Sequence, residues 1–290
     1  MAMSFGRHSE YIEPSSVRDW GVLADDLYRQ GRYIESAMMY EKALEIDPHD
    51  KSLWNSKGLA LCRQKKLEEA LEAFEKAIAI DQSYLDAWNN KGVVMYRAKM
   101  YEQSLEIFDE IIKMDPGYIK AWYNKGVVKG RMGRHLESIE EYDRALEIDQ
   151  TRPKIWNNKG SALGNLGEYE RAIMCFDQAI DLKLNYAEAY ANRGVAYSKL
   201  SLHDQALKDF KQTIDIDPTN PESWSNRGEA LRRLQRYEEA LESFDKAIAI
   251  AIDCRDPRAW KGKALALKAL GRDREAEDAL ARISIVDTSP

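Results

Sequence analysis

Five asparagines, Asn90, Asn124, Asn158, Asn192 and Asn226, recur at a constant interval of 34 residues. A carboxamide offers one acceptor and two donors, which suits it to a peptide unit that presents one of each. A regular row of them is equipped to hold an extended backbone while reading little of its side chains. Five cations, Arg63, Arg97, Lys120, Arg131 and Lys154, stand seven residues after or four residues before this column. Together the two sets predict a peptide-binding stripe, with the cations drawing an acidic or polar segment.

Other chemistry lacks the spacing it needs. His8, His49, His135 and His203 are far apart, and Cys62, Cys175 and Cys254 show no CxxC pair. No metal ligand set follows from these. No phosphate-binding GxxxxGK[ST], GxSxG or HExxH motif occurs. Acidic pairs such as Glu68-Glu69 and Glu238-Glu239 sit where second helices begin and satisfy the helix dipole there. The expectation is no cofactor, no metal and no catalytic site.

The elements that must position the asparagines come from an internal repeat. The seven Trp lie at 20, 54, 88, 122, 156, 224 and 260, and Tyr190 stands midway in the one double interval. Taking Trp as position 4 gives units 17–50, 51–84, 85–118, 119–152, 153–186, 187–220, 221–256 and 257–290, the seventh lengthened near Asp253–Asp256. Residues 1–16 remain as an N-terminal segment, and no room is left for a second domain. Position 8 is Gly in Gly58, Gly92, Gly126, Gly160, Gly194 and Gly228. Position 20 is small (Ala70, Ser104, Ser138, Ala172, Ala206, Ala240, Ala276), and position 24 is aromatic (Tyr40, Phe74, Phe108, Tyr142, Phe176, Phe210, Phe244). Positions 4, 8, 11 and 20, 24, 27 each trace one face of a helix. Gly31, Gly133, Gly167 and Gly271 mark a turn at position 15, and Pro48, Pro116 and Pro218 close the second helix at position 32. Each unit is predicted to be two antiparallel helices.

The pattern W-x3-G-x11-A-x3-F/Y-x2-A at a 34-residue period resembles the tetratricopeptide repeat, over residues 17–290. The resemblance implies an all-α solenoid, a right-handed superhelix of about one turn, with first helices lining a concave groove. It also implies an interaction scaffold without catalysis. The asparagine row resembles the ladder in the repeat domain of O-linked N-acetylglucosamine transferase, which clamps peptide backbone. The family's chaperone-tail clamp is not matched, because position 5 is Lys only at Lys261 and position 9 is never Asn.

On the first helix, positions 2, 6, 9 and 13 lie opposite the packed face at 100° per residue, and a groove ligand meets them. Position 6 carries the asparagines, although Asn is a weak helix former. Neighbouring first helices stand about 10 Å apart and an extended peptide rises about 3.3 Å per residue. One Asn per unit therefore matches roughly every third residue of a ligand. The alternative is that these Asn bond neighbouring repeats or persist from duplication. Ten cations against five acids line the predicted stripe, in a chain of net charge −6, so charge is segregated toward the groove. A cation at a helix C-terminus explains position 13 alone and explains position 2 less well. Position 7, basic in Lys57, Lys91, Lys125, Lys159, Arg193, Arg227 and Lys263, is expected to pack its stems and snorkel its charges. Position 9 (Leu59, Val93, Val127, Ser161, Val195) and Tyr28 and Tyr96 at position 12 offer shallow pockets.

Composition agrees with a globular, non-membrane protein: 44% of residues are hydrophobic and no apolar run reaches spanning length. Few Cys and no signal-like N-terminus point to a reducing, cytoplasmic setting. The leading reading is a scaffold for an extended acidic peptide. Others are an accessory substrate-binding subunit for a separate enzyme such as a glycosyltransferase, and a single-stranded nucleic-acid binder, which lacks interleaved stacking aromatics. A further reading is self-association through Leu280, Ile283, Ile285 and Val286 of the last repeat.

Overall fold

The computed structural model describes residues 16–251 and 257–287. It divides into two compact units, residues 1–128 and 129–290. The first holds α1 (Val17–Arg29), α2 (Tyr33–Ile46), α3 (Lys51–Arg63), α4 (Leu67–Ile80), α5 (Leu85–Arg97) and α6 (Tyr101–Met114), and α7 (Ile119–Arg131) runs across the division. The second holds α8 (His135–Ile148), α9 (Pro153–Asn165), α10 (Tyr169–Leu182), α11 (Ala187–Lys199) and α12 (His203–Ile216). It continues with α13 (Pro221–Arg233), α14 (Tyr237–Ile250), α15 (Pro257–Ala269) and α16 (Asp273–Asp287). The described residues are all-α: eight helix-turn-helix repeats in the register set by Trp. Within each unit, successive hairpins stack in the manner of a repeat solenoid. Ser16 caps α1 through a reciprocal bond with Asp19. The rest of the N-terminal segment and Cys254 with the insertion around it lie outside the described residues.

The repeated positions explain the hairpin. A Cβ built on Gly58, Gly92, Gly160, Gly194 or Gly228 would stand 2.6–2.8 Å from the ring of the position-24 Phe. In these five repeats glycine gives the second-helix ring room to lie against the first helix. Those rings (Phe74, Phe108, Phe210, Phe244) are among the largest fully buried side chains. Where position 20 is serine, its hydroxyl bonds the position-8 carbonyl: Ser36 to Ala24 and Ser104 to Gly92, each at 2.8 Å.

First helices end alike in all eight repeats. Position 15 takes positive φ, as glycine in four repeats and as Lys65, Lys99, Ser201 and Gln235, at φ 61–64°, in the others. The next amide returns to the carbonyl five residues back, for example Arg32 to Leu27 at 2.9 Å and Arg236 to Leu231 at 3.0 Å. This is a Schellman closure, and the residue type at position 15 follows from it. The Trp indoles tie each repeat to the preceding turn. Nε1 of Trp54, Trp88, Trp122, Trp156 and Trp224 donates to the carbonyl of Pro48, Gln82, Pro116, Gln150 and Pro218, at 2.9–3.0 Å. The most conspicuous residues of the sequence are thus fold anchors.

Candidate functional site

Three of the five predicted asparagines bond the preceding repeat. Nδ2 of Asn90 donates to Oδ1 of Asn55, and Nδ2 of Asn124 to Oδ1 of Asn89, both at 2.8 Å. Asn192 does the same with Asn157 at 3.0 Å and also reaches Ser161 Oγ at 3.4 Å. The acceptors Asn55, Asn89 and Asn157 occupy position 5 and are buried. They form an inter-repeat carboxamide link wherever position 5 of the previous repeat is Asn. Asn158 follows Tyr123 instead, and its Oδ1 accepts from its neighbour Asn157 at 3.5 Å. Asn226 follows Ala191 and has no hydrogen-bond partner among the described residues. The bond donates one N–H backward and leaves each position-6 Oδ1 as an acceptor.

The predicted cations divide in a similar way. Lys120 bridges to Asp86 of the previous repeat at 2.9 Å, and the Tyr118 hydroxyl donates to the same carboxylate at 2.7 Å. The Tyr118 and Lys120 donors hold the Asp86 carboxyl below its ordinary value. Arg63 Nε donates to the Tyr28 hydroxyl at 3.2 Å, so Tyr28 is engaged rather than an open platform. Arg97, Arg131 and Lys154 are exposed and have no ion-pair or hydrogen-bond partner among the described residues. Elsewhere in the stripe, Arg258 pairs with Glu222, Arg233 with Glu229 and Arg29 with Asp26.

Within the second unit the first-helix face opens into two adjoining clefts. One, of about 390 Å³, lies between α9 and α11 and is lined by Ser161, Gly164, Asn165, Asn192, Val195 and Lys199, with Tyr169 behind them. The other, of about 470 Å³, lies between α11 and α13, where Val195 and Lys199 recur beside His203, Asn226, Glu229 and Arg233. Both are lined by positions 6, 9, 12 and 13. Arg63, Arg97, Lys120, Arg131 and Lys154 line neither cleft.

Position 7 is not part of this face. Each side chain lies over the aromatic of its own repeat, from Lys57 at 5.0 Å above Trp54 to Arg227 at 5.9 Å from Trp224. Each also reaches an acid at position 25 of the preceding repeat: Lys57 to Glu41, Lys91 to Glu75, Lys125 to Asp109, Lys159 to Asp143, Arg193 to Asp177 and Lys263 to Asp245. Arg227 is the exception because Lys211 occupies position 25 before it, and it turns to the Ser243 hydroxyl. These cations are inter-repeat struts whose stems pack, and the acid column at position 25 was the overlooked signal for them.

Sequence reading also passed over two buried ion pairs. Lys129, 8% exposed, meets Glu141, 6% exposed, at 2.6 Å, where the corresponding residues of repeat 5 are Leu163 and Cys175. Arg193 makes a bidentate pair with buried Asp209 at 2.7 and 2.8 Å. In both cases the interior charge is matched, which is the condition for keeping it there. Burial pushes the thiols of Cys62 and Cys175 up, so neither is a reactive thiolate. Among the described residues no group of three or more His, Cys, Asp or Glu is placed to hold a metal. No described helix is long and apolar enough to cross a membrane. On the last helix Leu280 is exposed and Ile283 half-buried, while the side chains of Ile285 and Val286 lie outside the described residues.

Comparison with protein families matches this architecture. Tetratricopeptide repeat models match residues 21–46, 39–72, 119–152, 141–174, 187–220 and 221–254, and a further TPR repeat model matches 58–99 and 165–201. Among solved structures, YrrB, a TPR protein with an unusual peptide-binding site, is similar over 69% of this chain and 99% of its own, with 25% identity and a TM-score of 0.54. A tetratricopeptide repeat protein from Parabacteroides merdae is similar over 87% of this chain and 98% of its own, with 16% identity and a TM-score of 0.64. MamA from Desulfovibrio magneticus RS-1 is similar over 58% of this chain and 94% of its own, at 19% identity and a TM-score of 0.55. No curated protein sequence matches the chain.

Proposed function

The chain belongs to the tetratricopeptide repeat family, and from that premise we propose that it is a non-catalytic interaction module binding an extended, acidic or polar peptide along its first-helix face. The observation that carries this reading is the pair of adjoining clefts on either side of α11, lined at their mouths by positions 6, 9, 12 and 13 and floored by core side chains such as Phe176 and Phe210. Carboxamides at position 6 supply acceptors to peptide N–H groups, and Asn226 supplies its donors as well. Arg97, Arg131 and Lys154, which neutralise no carboxylate of their own chain, supply the attraction for acid. The YrrB likeness supports peptide as the class of ligand, since a peptide-binding site is named for that protein. The asparagine ladder of the glycosyltransferase accessory domain is the finer comparison, and it bears on Oδ1 more than on Nδ2, which faces the neighbouring repeat in three cases.

The test is selection of 12-residue peptides by display on the full chain, followed by anisotropy titration at several salt concentrations. Selected peptides are expected to be extended and acidic, and reversal of Arg97, Arg131 and Lys154 to Glu to weaken them roughly tenfold or more with a flatter salt slope. Peptides that bind the reversed and unreversed chains equally at every salt concentration would remove the electrostatic part of the reading.

A further inference from the structure

Resting on that reading, we infer that the cleft between α9 and α11 is a pocket for a single carboxylate side chain, an Asp or Glu of the bound peptide. Position 12 explains why the cleft exists. It is Tyr28, Cys62 and Tyr96 in repeats 1–3, Gly130 in repeat 4, Gly164 in repeat 5, Ser198 in repeat 6, and Arg232 and Lys268 in repeats 7 and 8. A Cβ on Gly130 would meet Ser138 Oγ at 3.2 Å, so of the two glycines only Gly164 borders open space. A Cβ built on Gly164 would meet nothing within 4 Å, whereas one on Gly160, a turn earlier in the same helix, would strike Phe176 at 2.6 Å. Gly160 is required by packing. Gly164 is not; it stands in the last turn of α9, where glycine is a weaker helix former than alanine. What the glycine provides is open space beside the groove.

Three of the groups around that space are donors without acceptors. Ser161 already donates to the Asn157 carbonyl at 3.1 Å, and Asn192 to Asn157 and Ser161. The Asn165 carboxamide, the Tyr169 hydroxyl and the Lys199 ammonium have no partner among the described residues. Asn165 is also the break in the cation column at position 13 of the first seven repeats, placing a neutral donor where Arg97 and Arg131 stand in repeats 3 and 4. Among the described residues Lys199 is the one charged side chain lining this cleft, and no acid lines it. An ammonium, a phenol and a carboxamide around a cleft free of carboxylate match the several lone-pair sites of one carboxylate. The adjoining cleft differs because Glu229 lines it and already pairs with its Arg233 at 2.8 Å.

The test uses peptides recovered by display on the full chain, each paired with a version in which one Asp or Glu becomes Asn or Gln. In the wild type, one register position is expected to require the acid, and neutralising it to weaken binding roughly tenfold, the scale of one charge-assisted hydrogen bond. Lys199→Gln should weaken the acidic peptides equally and leave their neutralised versions unchanged. Gly164→Leu, which fills the cleft, should give the same selective loss with a melting temperature equal to or above wild type. Acid preference that survives both substitutions overturns the pocket and leaves the groove reading intact. Peptides that bind with no preferred acid position also overturn the pocket alone. A folded chain that binds no library peptide overturns the groove reading and the pocket with it.

Discussion

The first helices of repeats 2–4 and those of repeats 5–7 share the position-6 column, which is Ser56 in repeat 2 and asparagine in repeats 3–7, and differ in what surrounds it. In repeats 2–4 much of the face is tied by its own side chains, with Arg97 and Arg131 left exposed: Asn90 and Asn124 bond buried position-5 asparagines, Lys120 and Tyr118 converge on Asp86, and Arg63 rests on Tyr28. In repeats 5 and 6 Gly164 and Ser198 stand at position 12, Ala191 removes the acceptor Asn226 would use, and two clefts open, whereas Gly130 at position 12 of repeat 4 lies against Ser138. The repeat framework is identical in both. Binding capacity is therefore set by the small residues that leave space and the bonds that are not made within the chain, and the asparagine column alone does not determine it.

The strongest way to break this comparison lies within α9. If glycine at position 8 serves packing and glycine at position 12 serves openness, Gly160→Ala and Gly164→Ala must act in opposite directions. Gly160→Ala forces a methyl into the Phe176 ring and should cost about 1–3 kcal/mol. Gly164→Ala meets no neighbour and should stabilise by about 0.5–1 kcal/mol through helix propensity. Chemical denaturation of the two variants at matched slope checks both signs. Destabilisation by Gly164→Ala would mean that this glycine also serves packing.

A smaller effect separates closed from open links in the carboxamide column. Asn89→Ala deprives half-buried Asn124 of its acceptor and should cost about 1–2 kcal/mol. Ala191→Asn places an acceptor before Asn226, as Asn157 does before Asn192, and should add about 0.5–1 kcal/mol. The same substitution should lower peptide affinity if the Asn226 donors serve the ligand. Denaturation midpoints and peptide titration of the pair read the two consequences separately.

Much of this was legible in the sequence because it recurs. Trp at position 4, Gly at 8, a small residue at 20 and an aromatic at 24 mark one hairpin geometry repeated in register, and periodicity reveals such columns directly. The cations at position 7 are the packed stems expected of them, while their acidic partners sixteen to eighteen residues earlier were missed. A partner on the preceding repeat lies at a separation that no single-helix pattern displays. The position-6 asparagines were read with both possible partners open, and the answer turned on position 5, where Asn55, Asn89 and Asn157 lie buried beneath them. The clefts could not be read from the asparagines at all. They depend on Gly164, whose meaning is visible only once neighbouring side chains are in place. Lys129 with Glu141 was passed over for a related reason: each alone resembles a surface charge, and burial appears only when the two meet at 2.6 Å.

The smallest predicted effect concerns pH, and it falls on the closed face alone. Asp86 is held below its ordinary value, first by the Tyr118 hydroxyl and then by Lys120. A carboxyl depressed in the folded state contributes stability that is fully present above its unfolded value, about 4. That contribution is lost as pH falls through the lower folded value. Because the pair is about half exposed, with side chains 63% and 52% accessible, solvent screening limits the contribution to about 0.5 kcal/mol. Asp86→Asn should therefore lower stability slightly at pH 7 and narrow its gap from wild type as the pH approaches 2. The corresponding tie between repeats 5 and 6 runs from the Asn157 carboxamide to Glu188 at 3.1 Å, with no lysine across it. Glu188→Gln keeps an acceptor for Asn157 and should have a smaller effect at pH 7 than Asp86→Asn. Thermal melts of both variants across pH 2–7 compare the two links, and an effect of Glu188→Gln equal to that of Asp86→Asn would show that the lysine contributes nothing to closing the first face.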